Sequence, residues 1–146
     1  MPKIKPHHVL LIEDNEGDIL LTTEALEERD LADKITVIRD GKLAIEFLEN
    51  IALKDKQDLP DIILLDVNIP KRNGHQVLHH IKESQQLKQI PVIMLTTSSS
   101  EKDIMESYKN HANCYITKPT DVEDFNRAME SIENFWMQTV TLPNHH

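Results

Sequence analysis

Short apolar runs alternate with longer amphipathic segments along most of the chain. Five runs are nearly continuous in hydrophobicity, and they lie at residues 9–12, 35–38, 62–65, 92–95 and 114–117. Such runs are typical of strands that are covered on both faces, as in a parallel sheet. The pattern therefore predicts five buried, parallel strands.

The segments between these runs have the spacing of amphipathic helices. The first predicted helix covers residues 15–29, and four more follow. Their apolar positions are Leu43, Ala44, Phe47 and Leu48; then Val77, Leu78 and Ile81; then Ile104, Met105 and Tyr108; and finally Phe125, Ala128, Met129, Ile132, Phe135 and Trp136. Strict alternation with right-handed crossovers predicts an α/β fold, in which five helices cover both faces of a doubly wound, five-stranded parallel sheet.

The chain has room for one domain, because 146 residues suit a single core. We expect an N-terminal extension at residues 1–7, the domain at residues 8–136 and a C-terminal tail at residues 137–146. The one long connection in the pattern is the mostly polar stretch 50–60, between the second helix and the third strand.

Composition and charge exclude several classes of function. The formal net charge of −9 argues against a nucleic-acid surface, because phosphate contacts need a basic stripe. Three isolated glycines cannot form the glycine-rich loops that cradle nucleotides. No apolar run approaches the roughly 18 residues of a membrane span, no signal peptide is recognisable, and the single cysteine fits a reducing compartment. We therefore expect a cytoplasmic protein that binds neither nucleic acid nor membrane.

Polar side chains follow the predicted strands at their carboxyl ends, where ligands bind in open α/β sheets. These residues are Glu13 and Asp14 after the first strand, Asp66 after the third, Thr96 and Thr97 after the fourth, and Lys118 after the fifth. Three neighbouring carboxylates recruit a proton or a cation, and hard oxygen ligands favour Mg²⁺. A carboxylate beside Mg²⁺ can attack phosphorus and form an aspartyl phosphate.

In these motifs the chain resembles the receiver domain of two-component response regulators, the CheY-like fold. The matching pieces are Glu13-Asp14, the stretch 66–70 with Gly74, Thr96-Thr97, and the stretch 115–119. They stand at four strand ends in the family's order, and the resemblance covers about residues 8–136. It implies the strand order 2-1-3-4-5, and a signalling switch rather than an enzyme.

The resemblance implies a phosphoacceptor and a metal site. Asp66 is the implied phosphoacceptor. Glu13 and Asp14 are implied to hold Mg²⁺ together with Asp66, directly or through water, and Asn68 to supply its backbone carbonyl to the ion.

The resemblance also implies a phosphoryl-binding pair and a switch. Thr96 would bind a phosphoryl oxygen and move toward it, Lys118 would pair with the phosphoryl group, and Tyr115 would change rotamer with Thr96. A cis peptide before Pro119 would orient Lys118. Thr97 departs from the commonest family pattern, in which a smaller alanine stands there, and this puts the rate of dephosphorylation in doubt.

Other stretches look like the stand-alone receivers that serve bacterial phytochrome histidine kinases. They are residues 95–99, 50–60, 132–136 and 139–143. The similarity implies a sensor histidine kinase of the phytochrome type as partner, and an output that runs through contacts with other molecules. It also implies a homodimer, with the aromatic pair Phe135 and Trp136 in the interface. Simple packing of the tail on the domain is the alternative.

Different interpretations of the acidic residues stay open. Asp66 could cap a helix or a turn, since aspartate often follows a strand. A haloacid-dehalogenase-type phosphatase also uses an aspartyl phosphate and Mg²⁺, but that class has an acidic residue where this chain has Asn68. A flavodoxin-like module would bind a flavin phosphate, which the acidic turn at residues 13–16 would repel.

The histidines suggest a second metal hypothesis. His75 and His79 are four residues apart on the third helix and His80 adjoins them, which suits a transition metal. Because no third ligand can be placed beside them, a solvated helix face is the favoured interpretation. We predict solvated side chains for His7 and His8 as well.

Overall fold

The computed structural model describes residues 6–54, 58–67, 69, 71 and 73–95, the backbone of residues 96 and 114–117, and residues 127, 130, 131, 133 and 134. Its strands are β1 (His8–Ile12), β2 (Lys34–Ile38), β3 (Ile62–Asp66), β4 (Val92–Thr96) and β5 (Cys114–Thr117). They form one sheet in the order β2-β1-β3-β4-β5, and every pairing is parallel. The predicted strands, fold class and strand order are thereby confirmed.

Three helices connect the first four strands: α1 (Glu16–Glu28), α2 (Gly41–Lys54) and α3 (Gly74–Glu83). Helix α1 matches the predicted range, with Asn15 and Arg29 as its capping residues. Residues 127, 130, 131, 133 and 134 are helical, as predicted for the last helix, whereas the predicted fourth helix lies outside the described residues. No helix in the described part of the chain is long and apolar enough to cross a membrane.

The predicted connection at residues 50–60 is wrong at its start, because α2 continues to Lys54. Ala52 is buried four residues after the buried Leu48, so the apolar face of α2 extends by one more turn. Asn50 and Lys54, whose polarity suggested a loop, are exposed in that turn.

The sheet separates two apolar layers, because successive side chains of a strand point to opposite faces. On one face, Leu10 and Ile12 of β1 belong to a buried cluster with side chains of α2 and α3, among them Ala44, Leu48, Val77, Leu78 and Ile81. On the other face, Val9 and Leu11 pack in a cluster with Ala25 and Leu26 of α1. Helices on both faces make the sheet doubly wound, as predicted.

Two histidines that were predicted to be solvated are less exposed than expected, since His8 is buried and His75 is half-buried. His8 is 0% exposed, because its ring bridges two other segments. Its Nε2 lies 2.8 Å from Thr36 Oγ1 on β2, and its Nδ1 lies 2.9 Å from the carbonyl oxygen of Asp58. Both ring nitrogens of His75 are also buried, without a hydrogen-bond partner among the described residues. His75 stands in the first turn of α3, which begins directly against the backbone that follows β3.

The remaining histidines of the metal hypothesis do not converge. His79 and His7 are exposed, while His80 Nε2 lies 2.9 Å from Glu49 Oε1 on the neighbouring helix. Within the ranges that the structure describes, no group of three metal-binding side chains includes a histidine.

Candidate functional site

Three carboxylates meet at the carboxyl edge of the sheet, as the strand ends predicted. Strands β1 and β3 are neighbours, and Ile12 is aligned with Leu65, so the residues that follow them, Glu13 and Asp66, stand side by side. Asp14 joins them. One oxygen from each of the three side chains can be chosen so that all lie within 4.8 Å of one another.

The three carboxylates differ in their exposure to solvent. Glu13 is 1% exposed and Asp66 is 4% exposed, whereas Asp14 is exposed. Two anionic groups in a dry environment are costly unless cations or hydrogen-bond donors compensate them. The site therefore combines a buried, negatively charged floor with one open side.

The turn between β1 and α1 holds Glu13 and Asp14 in place. The Glu13 amide donates to the Ile38 carbonyl oxygen of β2 at 3.0 Å, and the Asn15 amide donates to Glu13 Oε1 at 3.2 Å. Asn15 then caps α1, its side-chain oxygen accepting from the Asp18 amide at 2.9 Å. The carboxylates are thus fixed between the end of a strand and the start of a helix.

Gly74 determines how α3 approaches Asp66. The Gly74 amide donates to the Val67 carbonyl oxygen at 2.8 Å. A Cβ atom at Gly74 would lie 2.4 Å from the Asp66 carbonyl oxygen and 2.7 Å from the Val67 Cα, so only glycine fits here. The sequence motif included Gly74, but no pattern in the sequence reveals this contact.

The loop from β3 to α3 has further special geometry. Lys71 has a φ of 72°. This value lies in the left-handed region, which is unfavourable for most residues other than glycine, asparagine and aspartate. Asn73 and Gln76 form a reciprocal capping box at the start of α3, with both hydrogen bonds at 3.0 Å. Strained and well-capped backbone of this kind is often found beside functional groups.

The structure gives the backbone positions of two other predicted residues. Thr96 ends β4, one residue after Leu95, which is aligned with Asp66. Tyr115 lies in β5 and is aligned with Met94 of β4. The predictions for Asn68, Thr97, Lys118, Pro119, Phe135 and Trp136 fall outside the described residues.

The donor set fits a hard divalent cation. All three groups offer carboxylate oxygens. Mg²⁺, Mn²⁺ and Ca²⁺ prefer such oxygen ligands over nitrogen or sulfur ligands. The exposed side of the site leaves room for the water molecules that Mg²⁺ usually keeps. The same arrangement offers an aspartate oxygen as a nucleophile toward an electrophile that approaches from this side.

Comparisons with known proteins agree with this geometry. A family model described as the response regulator receiver domain matches residues 9–130. The response regulator Rcp1 of Synechocystis sp. is 41% identical over 138 residues, which cover 94% of this chain and 94% of Rcp1. A probable methanogenesis regulatory protein, FilR2 of Methanothrix harundinacea, is 40% identical over 132 residues, covering 90% of this chain and 84% of FilR2.

Solved structures give the same result. The phosphorylated cyanobacterial phytochrome response regulator RcpA superimposes with a TM-score of 0.83 at 41% identity, covering 94% of this chain and 99% of RcpA. The Mn²⁺-bound form of Rcp1 has a TM-score of 0.82 over the same shares of the two chains.

Proposed function

We propose a function from the premise that this chain belongs to the response regulator receiver family, whose model matches residues 9–130. Receiver domains accept a phosphoryl group on an aspartate and change their contacts with other proteins in response. The acceptor that we propose is Asp66, which ends a central strand and is nearly buried. Its convergence with Glu13 and Asp14 is the observation that supports the assignment most directly.

The proposed reaction is phosphoryl transfer from a phosphohistidine of a sensor kinase. An oxygen of Asp66 forms a bond to phosphorus while the bond between phosphorus and the imidazole nitrogen breaks, and the electron pair stays on that nitrogen. A bound divalent cation would offset the charge of the phosphoryl oxygens. Glu13, Asp14 and Asp66 would hold this cation with the backbone carbonyl of Asn68, and hard oxygen donors beside open solvent favour Mg²⁺.

The proposed switch uses Thr96, Lys118 and Tyr115. The Thr96 hydroxyl donates to a phosphoryl oxygen, the Lys118 ammonium pairs with the phosphoryl group, and Tyr115 follows Thr96. Support for Thr96 and Tyr115 comes from strand order, since β4 lies next to β3 and β5 lies next to β4. The role of Lys118 rests on the family resemblance. Differential contacts of a few kcal/mol are enough to shift a two-state equilibrium.

Incubation with acetyl phosphate and Mg²⁺, followed by a phosphate-sensitive gel, tests the acceptor. We expect a stoichiometric, base-labile adduct that is absent in Asp66→Asn and after chelation of Mg²⁺. Asp33→Asn is the matched control, because Asp33 is an exposed aspartate. It directly precedes the amino end of β2, whereas the acidic site lies at the carboxyl edge of the sheet. An adduct that persists in Asp66→Asn would contradict the assignment.

The partner that we propose is a sensor histidine kinase of the phytochrome type, in the cytoplasm. The phytochrome response regulator RcpA and the bacteriophytochrome response regulator RtBRR, at 41% and 38% identity, support it. FilR2, at 40% identity, is a probable methanogenesis regulatory protein, so a kinase of another type is the competing partner. Transfer from an autophosphorylated phytochrome kinase within seconds, and much more slowly from an unrelated kinase, would support the phytochrome assignment. Equal rates would contradict it.

The proposed role is signalling and not catalysis on a small substrate. The family match does not support the haloacid-dehalogenase alternative, whose second acidic residue is replaced by Asn68. Multiple turnover of a phosphomonoester such as para-nitrophenyl phosphate would contradict the signalling role.

A homodimer is the proposed assembly, with Phe135 and Trp136 in its interface and residues 8–136 as the folded domain. The support is the family resemblance and the aromatic pair at the end of the pattern that predicts the last helix. Size-exclusion chromatography of the wild type and Phe135→Ala, with and without phosphorylation, tests it. Elution of both proteins as monomers under both conditions would contradict the proposed interface.

A further inference from the structure

We infer that Arg39 balances the charge of the acidic site by neutralising Glu16, and that it thereby tunes both cation affinity and reaction with anionic phosphodonors. The part that concerns phosphodonors rests on the proposed function of Asp66. The part that concerns the cation depends only on the three carboxylates.

Arg39 is fixed at the edge of the sheet where the acidic site lies. It directly follows β2, whose last residue, Ile38, accepts a hydrogen bond from the Glu13 amide at 3.0 Å. The next residue, Asp40, immediately precedes α2, and its carboxylate accepts from the Leu43 amide at 2.7 Å. The backbone of Arg39 is therefore held from both sides, independently of its side chain.

The backbone of Glu16 is held directly after the turn that carries Glu13 and Asp14. It is the first residue of α1, and the capping residue Asn15 immediately precedes it. The Arg39 guanidinium donates a hydrogen bond to Glu16 Oε1. The ion pair thus spans from the end of β2 to the start of α1, beside the turn that holds Glu13 and Asp14.

The pair changes the charge around the site and contributes little to the stability of the fold. Glu13, Asp14 and Asp66 together bring a charge of −3 when ionised, and an unpaired Glu16 would make it −4. The side chains of Arg39 and Glu16 are 52% and 80% exposed, and such exposed pairs contribute little to stability, about 0–1 kcal/mol. Their charges still act on ions within a Debye length, about 8–10 Å at physiological salt.

Removal of each partner should have opposite effects. Arg39→Gln leaves Glu16 unpaired, so we expect Mg²⁺ to bind more tightly and acetyl phosphate, a dianion, to react more slowly at saturating Mg²⁺. Glu16→Gln leaves Arg39 unpaired, so we expect weaker Mg²⁺ binding and a faster reaction. Each change should be roughly two- to five-fold for exposed charges at this range, and the double variant should return close to the wild type.

The experiment measures Mg²⁺ affinity by titration calorimetry and adduct formation by phosphate-sensitive gel for all four proteins. Phosphoramidate, which carries less negative charge than acetyl phosphate, should show a smaller rate effect. In 1 M KCl, where the Debye length is about 3 Å, the differences should disappear. A purely structural role would instead lower the melting temperature of Arg39→Gln and weaken both readouts.

Three results would overturn the inference: no change in Mg²⁺ affinity in either single variant, changes of the same sign in both, or differences that persist in 1 M KCl. Failure of the proposed function looks different. In that case the wild type would form no adduct, while the Mg²⁺ titrations would still report the charge balance.

Discussion

Glu13 and Asp66 are the carboxylates that are buried in the described part of the chain. Burial of the two carboxylates next to each other has a cost in folding free energy that hydrogen-bond donors or a bound cation must offset. Evolutionary loss of either group would remove that cost, but it would also remove the cation site. The acidic site is thus a place where stability is exchanged for binding.

Mg²⁺ should therefore stabilise the wild type and should stabilise Glu13→Gln much less. A ligand at 100 times its dissociation constant adds about 2.7 kcal/mol to the free energy of unfolding, which thermal melts with and without Mg²⁺ can detect. We also expect Glu13→Gln without Mg²⁺ to melt at or above the temperature of the metal-free wild type, because one buried charge is gone. Glu46→Gln, a change at an exposed position, is the control and should respond to Mg²⁺ as the wild type does.

Gly74→Ala should damage both stability and the site. Its new Cβ would meet the Asp66 carbonyl oxygen at 2.4 Å, so α3 or the loop after β3 must shift, at a cost of about 1–3 kcal/mol. A displaced Asp66 should also accept phosphoryl groups up to about 100-fold more slowly. Urea unfolding and the rate of adduct formation measure the two effects.

Gly17→Ala is the matched control for Gly74→Ala. Gly17 lies in α1, and a Cβ there would meet only the side-chain oxygen of Asn15, at 3.3 Å. Because alanine favours helices by up to about 1 kcal/mol over glycine, this variant should be as stable as the wild type or more so. Equal behaviour of the two variants would contradict the proposed contact between Gly74 and Asp66.

Helix α1 ends in a hydrogen-bonded motif that joins it to the core. The Leu31 amide donates to the Leu26 carbonyl oxygen at 2.9 Å, and the Asp30 amide donates to that of Glu27 at 3.1 Å. Asp30 has a φ of 52°, and Leu26 and Leu31 lie in the same apolar cluster. These are the features of a Schellman motif, in which glycine is the usual residue at the left-handed position.

Asp30→Gly should consequently be more stable than Asp30→Ala by about 1 kcal/mol. Both variants lose the carboxylate, so their difference reports only the backbone conformation. At Glu28, one residue before the C-cap of the same helix, the order should reverse, with alanine more stable than glycine by about 1 kcal/mol. Chemical denaturation of the four variants gives the comparison, and the same order at both positions would refute the argument.

The connection between α3 and β4 depends on Lys82. Its ammonium donates to the carbonyl oxygens of Lys88 at 3.0 Å and Ile90 at 2.9 Å. Lys82→Met keeps most of the apolar stem but leaves both carbonyls without this donor, so it should cost about 1–3 kcal/mol. Lys88→Met, at an exposed position in the same loop, should change stability little. Equal stabilities of the two variants in urea would contradict this role.

The advantage of the wild type over Lys82→Met should grow with pH. Burial lowers the pKa of Lys82 below its usual 10.5, so the folded state binds fewer protons than the unfolded state between those two values. The cost of burying the charged form is complete below the lowered pKa and is relieved as the pH rises toward 10.5. Urea unfolding at increasing pH measures the difference, and a constant gap would contradict it.

Local patterns in the sequence predict the elements well and their ends less well. The strands can be recognised because each is a nearly continuous apolar run. The start of α1 can be recognised because Asn15 is a typical N-cap residue. The last turn of α2 is hidden because its buried residue is the small Ala52, whereas the larger Leu53 beside it is exposed. A small side chain on the buried face and a large apolar one on the exposed face give too weak a periodic signal.

Across the whole molecule, the two edges of the sheet differ in role. Polar side chains at the amino edge hold segments together, and those at the carboxyl edge form the acidic site. At its amino edge, Asp61 Oδ2 accepts from the amides of His7 and His8 at 2.8 and 3.0 Å, and this network joins β1 to the segment before β3. At its carboxyl edge lie Glu13, Asp14 and Asp66. The acidic site is predictable because parallel strands bring their ends to one edge.

Other features of the molecule cannot be predicted, since they depend on contacts between residues that are distant in the sequence. The pair of Arg39 and Glu16 joins positions 23 apart, and the burial of His8 depends on Thr36 and Asp58, 28 and 50 positions away. Residue type and spacing carry no signal for such contacts, which follow only from the arrangement of β1, β2 and the loop before β3.

Asp66 is the aspartate at which we propose that phosphorylation occurs. Treatment of the acetyl-phosphate-labelled protein with borohydride reduces an aspartyl phosphate to homoserine, and mass spectrometry of the peptides then locates the modified position. We predict homoserine at position 66 alone, dependent on Mg²⁺. Homoserine at another aspartate, or none at position 66 in fully labelled protein, would contradict the account.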